Sequence, residues 1–254
     1  MNQAIGHRGP DANGVKVISE EVGAMGHVRL SIVDVTERSN QPMGNRQQDV
    51  IICFNGEIIN ANELKAYLAY DFQTTSDTEV ILAGYLQEGD SFFEKMNGMF
   101  AILLLDLRVS KIKLVRDCFG IKPLWYAIND GALAVSSEER ALEAIGLSDR
   151  NMEFGKWFLG FRYNPTVEGW LRKSRKVQPG HIYEWDIGGQ YGKPRISRFM
   201  NVFSSAVIEE FKEEELLEEL EWRFTKALKQ WSIADVPVTS FLSSGIDSAL
   251  VVHG

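Results

Sequence analysis

From Met1 to about Arg195, apolar positions come in short runs broken by Gly and Asn, and strand-like and helix-like spacings alternate. Val50-Ile-Ile-Cys-Phe54 is a continuous apolar run of strand length, and the Asn55-Gly56 pair after it is a tight-turn signal. Asn60 to Tyr70 has helical spacing. In Thr75-Ser-Asp-Thr-Glu79, Ser76 stands three residues before Glu79, which predicts a capping box and a helix running to about Gln87, before Gly89. Met99 to Asp106 and Ile112 to Arg116 are expected as two strands joined across Arg108 to Lys111. Leu124 to Ile128 and Ala132 to Ser136 flank Asn129-Asp-Gly131, a second hairpin signal, and Ser137 to Ile145 is expected to be helical. Antiparallel hairpins mixed with helices predict an α+β layered domain rather than a doubly wound one.

The pattern changes after Phe199. Glu209 to Glu221 holds eight Glu and one Lys, while Leu217, Leu220, Phe224, Leu228 and Trp231 fall on one face of a helix. The charge run is expected to be that helix's solvated side. Asp235-Val-Pro-Val-Thr-Ser-Phe-Leu242 follows as an expected strand, then the Ser/Gly loop Ser243-Ser-Gly-Ile-Asp-Ser248 and an apolar helix start, Ala249 to Val252. One strand and one helical turn cannot fold alone, so this second unit is expected to be incomplete.

Composition narrows the class. The 254 residues are 44% hydrophobic and 24% charged, ordinary values for a chain that buries a core. Lys and Arg total 27 against 35 Asp and Glu, a net charge of −8, the reverse of a nucleic-acid binder's excess. The longest apolar run, Met99 to Leu105, is too short to span a bilayer, and the first residues lack the apolar core of a secretory signal. Cys53 and Cys118 make no disulfide framework, and a cytoplasmic protein is expected. His7, His27, His181 and His253 share no metal-ligand spacing, so all four are expected to be structural.

Ten motifs stand in a specific order: HRGPD (7–11), GHVRLSIVD (26–34), QPM (41–43), FNGEIIN (54–60), TSDTEVIL (75–82), GMFAILLLD (98–106), RDCFGIKPLWY (116–126), SSEERAL (136–142), VQPGH (177–181) and DVPVTSFLSSGIDSALV (235–251). The ordered set resembles the glutamine-hydrolysing asparagine synthetases. That resemblance implies a class II glutaminase domain over residues 1–200, an N-terminal-nucleophile-type α-β-β-α fold of four layers. Residues 201–254 would then open an α/β synthetase domain of the adenine nucleotide hydrolase type. In such a family, ammonia released from glutamine attacks an ATP-activated aspartate. The implied partners are therefore glutamine, ATP with Mg²⁺, and aspartate, with no nucleic acid, no membrane and a possible homodimer.

A site for free glutamine needs a cation for the α-carboxylate and an anion for the α-ammonium. Arg29 suits the first role because a planar guanidinium grips a carboxylate with two hydrogen bonds. Glu57 and Asp77 suit the second, although a carboxylate at the start of a helix is also favoured by the helix end alone. The resemblance adds Leu30, Ser31, Ile32 and Val33 to the pocket, and makes the Asn55 side chain and Gly56 N–H the donors for the oxyanion of amide hydrolysis. It also implies an ATP-binding loop of Leu242, Ser243, Ser244, Gly245, Asp247 and Ser248, with Asp247 toward Mg²⁺. The family's nucleophile is an N-terminal cysteine, whereas this chain opens Met1-Asn2-Gln3. Cys53 and Cys118 carry no free amine and are expected to be packing residues, so cysteine-dependent hydrolysis by the chain as written is not expected. Two other readings keep the fold without the chemistry. One is a nucleophile-less scaffold resembling that of β-lactam synthetases; the other is a non-catalytic glutamine-binding module.

Overall fold

A computed structural model describes residues 1–20, 22–201 and 212–253. The start of the acidic run, 209–211, lies outside the described residues. A hairpin of β1 (Ala12–Ser19) and β2 (Gly23–Arg29) comes first, then the short β3 (Met43–Gly44) and the long β4 (Val50–Ile58). Two helices, α1 (Ala61–Tyr67) and α2 (Asp77–Glu88), lead to the antiparallel strands β5 (Gly98–Asp106) and β6 (Lys111–Arg116). Next come β7 (Trp125–Asn129), β8 (Ala132–Ser136), α3 (Glu139–Glu143) and α4 (Phe154–Phe161), followed by β9 (Ser174–Lys176), β10 (His181–Asp186) and β11 (Arg195–Arg198). The C-terminal stretch contributes α5 (Glu213–Trp231) and α6 (Ile246–His253).

The strands make a six-stranded sheet in the order β11-β10-β6-β5-β4-β3, a three-stranded sheet β8-β7-β9, and the separate β1-β2 pair. Strand alternation decides which core each side chain joins. On β5, Phe100, Ile102 and Leu104 turn toward α1, α2 and the turn after α2, where Leu64, Val80, Ile81, Phe92 and Phe93 complete the largest apolar cluster. Ala101 and Leu103 turn the other way, toward Tyr126, Ile128, Leu133 and Val135 of the three-stranded sheet. Behind that sheet, Ala127 packs with Leu142 of α3 and Leu171. The result is the expected four-layer α-β-β-α stack, with the β1-β2 hairpin laid over Ile51, Leu105 and Ile112 through Met25.

Helix α2 shows how local signals work here. The Ser76 hydroxyl accepts the Thr78 N–H at 3.2 Å, as an N-cap should. The other half of the expected capping box is not made. Glu79 is buried against the preceding loop instead, and its carboxylate accepts the backbone N–H groups of Gln73 and Thr74 and the Thr74 hydroxyl. The RDCFGIKPLWY segment has a comparable anchor. Fully buried Asp117 accepts N–H bonds from Phe100, Phe119, Ile121 and Lys122, while the Arg116 guanidinium donates to the carbonyls of Gly120, Lys122 and Val177.

Two expectations fail. Asn55-Gly56 is no hairpin turn: β4 runs straight through it, with Asn55 opposite Ala101 and Gly56 opposite Phe100. A Cβ on Gly56 would stand 2.1 Å from the Met99 carbonyl oxygen, so this glycine allows close strand approach rather than chain reversal. The second failure is the strand over 235–242, which does not form. A strand is stabilised by its ladder, and none of the described strands pairs with this segment. Helix α5 does form, but no residue on it is buried, and Leu217 and Leu220 remain about 60% exposed.

Candidate functional site

Loop 30–36 forms one wall of the site, and Arg29 organises it. The two Nη1 hydrogens go to the Thr36 carbonyl and to Asn40 Oδ1, at 2.8 and 2.9 Å. Those of Nη2 go to the carbonyls of Val33 and Asp34. All four terminal N–H groups of Arg29, a residue only 7% exposed, are thus committed to the loop and Asn40, in place of the two-bond grip expected on a ligand carboxylate. Asp34, in left-handed backbone geometry, ties this loop to the start of α2 by accepting the Thr75 N–H and hydroxyl and the Thr36 N–H and hydroxyl. Burial alone would raise the Asp34 carboxyl, but these bonds outweigh it and hold the group well below the usual carboxylate range.

The edge of β4 supplies the second wall. Strand β3 covers β4 only opposite Ile51 and Ile52, leaving Phe54 to Ile58 without a ladder on that side. Two of the exposed N–H groups are taken by side chains: Phe54 donates to Gln41 Oε1 at 2.6 Å and Ile58 to Asp77 Oδ2 at 3.1 Å. Successive N–H groups on a strand point to opposite edges. The Gly56 N–H therefore lies on the same edge, midway between those two, available to a ligand. The Asn55 side chain emerges from the strand face, and its Nδ2 is buried with no hydrogen-bond partner among the described residues. A buried donor left unpaired is costly, so such an atom marks a place where a ligand completes the structure.

These groups meet at one cavity of about 600 Å³. Arg29, Leu30, Ile32, Val33, Asn55, Gly56, Glu57 and Asp77 all line it; Ser31 does not, and its N–H is bonded to Asp11 Oδ2. Burial pushes the Asp77 carboxyl up to about 6, and the nearby Glu57 charge adds to this against the bond from Ile58 N–H. Burial also raises Glu57, opposed by the Lys122 charge. An acidic pair of this kind favours a cation between its members.

Farther in, the cavity runs along β5, β2 and β8. Its floor is made of alternate residues of β5, Ala101, Leu103 and Leu105, as expected above one face of a sheet. Its walls are consecutive residues, Ala24 to Arg29 of β2 and Ala132 to Ser136 of β8, as expected beside strand edges. Each of these strands has one ladder partner, β1 and β7 respectively, and one edge unpaired.

Neither cysteine is activated. Burial drives the Cys53 thiol up to about 12, and Cys118 is also raised by burial, with Asp117 adding. The other expected loop, Ser243 to Ser248, lies apart from this cavity. It closes on itself: the Ser248 hydroxyl bonds the Ser243 backbone and the Gly245 carbonyl, while Gly245 N–H donates to Ser243 Oγ at 3.1 Å. Leu242, Ser244 and Asp247 are exposed there. Among the described residues, no group of three or more His, Cys, Asp or Glu could hold a metal, and no helix is long and apolar enough to cross a membrane. Sequence reasoning gave Gln41 no role, although it opens the QPM motif (41–43), and set aside His27 as structural.

The inter-sheet cavity of this α-β-β-α stack is thus lined by two carboxylates and an unpaired amide donor. The family profile described as "Glutamine amidotransferase domain" matches residues 1–196, and the chain belongs to that family. A second profile, "Asparagine synthase", matches residues 219–253. The chain is 36% identical to asparagine synthetase [glutamine-hydrolyzing] 1 of Bacillus subtilis, across 99% of this chain and 39% of that protein. It is 30% identical to a putative asparagine synthetase [glutamine-hydrolyzing] 2 of Methanocaldococcus jannaschii, across 99% of this chain and 52% of that one. The chain thus spans about half or less of the length of these relatives. A solved glutamine phosphoribosylpyrophosphate amidotransferase from B. subtilis shares the fold, with a TM-score of 0.58 at 20% identity over 78% of this chain and 45% of its own.

Proposed function

We propose that this chain carries the glutamine-binding and oxyanion-stabilising part of an asparagine-synthetase-type amidotransferase of the cytoplasm. One observation carries the reading: two unused donors, Asn55 Nδ2 and Gly56 N–H, share a cavity with the Glu57–Asp77 acidic pair. Glu57 and Asp77 hold the α-ammonium of glutamine, and the Arg29 charge, with the loop it orders, faces the α-carboxylate. Asn55 and Gly56 then stabilise the oxyanion as the side-chain amide is attacked. With both thiols raised, Cys53 and Cys118 are not the attacking group.

Downstream, the Ser243–Ser248 loop takes the phosphates of ATP, and aspartate is the ammonia acceptor. Asp247 is a single exposed carboxylate, which fits a Mg²⁺ held mainly by phosphate oxygens and water. That ion would neutralise phosphate charge. The test of the glutamine site is calorimetric titration with glutamine, glutamate and asparagine. Selective binding of glutamine, weakened about tenfold or more in Asn55→Ala, is expected; equal response to all three amino acids overturns the reading. The commitment of Arg29 to its own loop favours a second reading, a scaffold domain that binds no amino acid, and this predicts no glutamine response at all.

A further inference from the structure

His27 stands on β2, and β2 shares no ladder with the six-stranded sheet. Its ring nevertheless crosses to that sheet: Nε2 lies 3.1 Å from the Phe54 carbonyl oxygen, on the peptide that leads into Asn55-Gly56. A carbonyl can only accept, so Nε2 carries the proton. Burial, with the Arg29 charge adding, lowers the imidazole to about 4 against the Phe54 bond, so the ring is neutral at physiological pH. In a neutral ring protonated at Nε2, Nδ1 is a lone-pair acceptor, and this Nδ1 is buried with no partner among the described residues. His27 and Asn55 both line the cavity, so an orphaned acceptor and an orphaned donor border the same space.

We infer that His27 is a positioning residue for the Asn55-Gly56 donor pair: its Nε2–H fastens the Phe54 carbonyl. The role rests on the glutamine reading above and adds a residue to it. Without the tether, the peptide before Asn55 loses its link to β2 and the two donors lose their fixed aim. Preorganised donors stabilise charge because they need no reorientation when it develops.

Two variants separate the ring nitrogens. The amide nitrogen of His27→Gln reaches about as far as Nε2 and can keep the bond to Phe54, whereas the amide of His27→Asn stops near Nδ1 and cannot. The expected result is near-native glutamine affinity in His27→Gln and roughly tenfold weaker affinity in His27→Asn, the contribution of about one hydrogen bond. The amide resonances of Asn55 Nδ2 and Gly56 should move in His27→Asn and be restored in His27→Gln. Equal affinity and unmoved resonances in both variants overturn the role. Nitrogen-detected spectra of the wild-type imidazole judge the tether without glutamine. A neutral Nε2–H tautomer from pH 8 down to about 5 supports it, and an Nδ1–H tautomer, or titration near the ordinary 6.5, overturns it. If wild-type protein binds no glutamine, the function proposed above falls, and the tautomer alone decides the tether.

Discussion

Residues 43–198 and residues 212–253 carry the same kinds of local signal, yet they end in different states. In the first region, β5 is an apolar run with a neighbour on each edge and a cluster on each face, and Ile102 and Leu104 are fully buried. In the second, only four of the eight residues of 235–242 are apolar, none of the described strands pairs with the segment, and Leu242 is 65% exposed. Helix α5 forms because i,i+4 pairing such as Glu219 with Arg223 and three Glu in its first turn support a helix locally. The strand has no such local support, since its hydrogen bonds must come from another segment. Periodicity therefore suffices for a helix and falls short for a strand.

The sharpest way to break the first region is at the point where its backbones meet. Gly56→Ala places a methyl group against the Met99 carbonyl, and the expected loss exceeds about 4 kcal/mol of unfolding free energy, read by urea denaturation. A paired comparison comes next. Leu104→Ala empties a fully buried site between sheet and helices and should cost about 2–5 kcal/mol. Leu220→Ala, on the uncovered face of α5, should change stability by no more than about 0.5 kcal/mol. Equal losses from the two substitutions would show that α5 is packed in solution.

An effect on stability of opposite sign is expected at Asp77. Its folded carboxyl titrates near 6 rather than the usual 3.8, so folding disfavours the ionised form. Stability from this group is present below about 4 and is lost as pH rises through 6. At pH 7, Asp77→Asn should therefore raise Tm by a few degrees, at about 2–4 °C per kcal/mol for a chain of this size, and should abolish glutamine binding. In the wild type, glutamine affinity should fall as pH drops below about 6, when Asp77 takes up its proton. A Tm that falls in the Asn variant would mean that the charge is stabilised by a partner.

Much of the layered fold was legible, because apolar runs of strand length, hairpin signals and interspersed helical spacing already imply an α+β layered domain. The Asn55-Gly56 dipeptide misled, since turn preference is local while the close approach of Met99 that demands a glycine comes from forty residues away. Arg29 was legible as a site residue but not in its detail. Nothing in its neighbours along the chain shows that the carbonyls of Val33, Asp34 and Thr36 would surround it. Glu79 departed from its cap for a similar reason, finding better donors on the preceding loop.

The order of motifs, the apolar periodicities and the acidic residues available to an amino-acid site are properties of the chain alone, since each follows from residue type and spacing. The convergence of Arg29, Asn55, Glu57 and Asp77 on one cavity was decided only by tertiary structure, and so were the free Gly56 N–H, the unpaired edges of β2 and β8 and the His27 tether. The physical reason is that hydrogen-bond satisfaction is settled across space. Whether a donor is spent or left for a ligand depends on which strand lies beside it, and no local pattern records that.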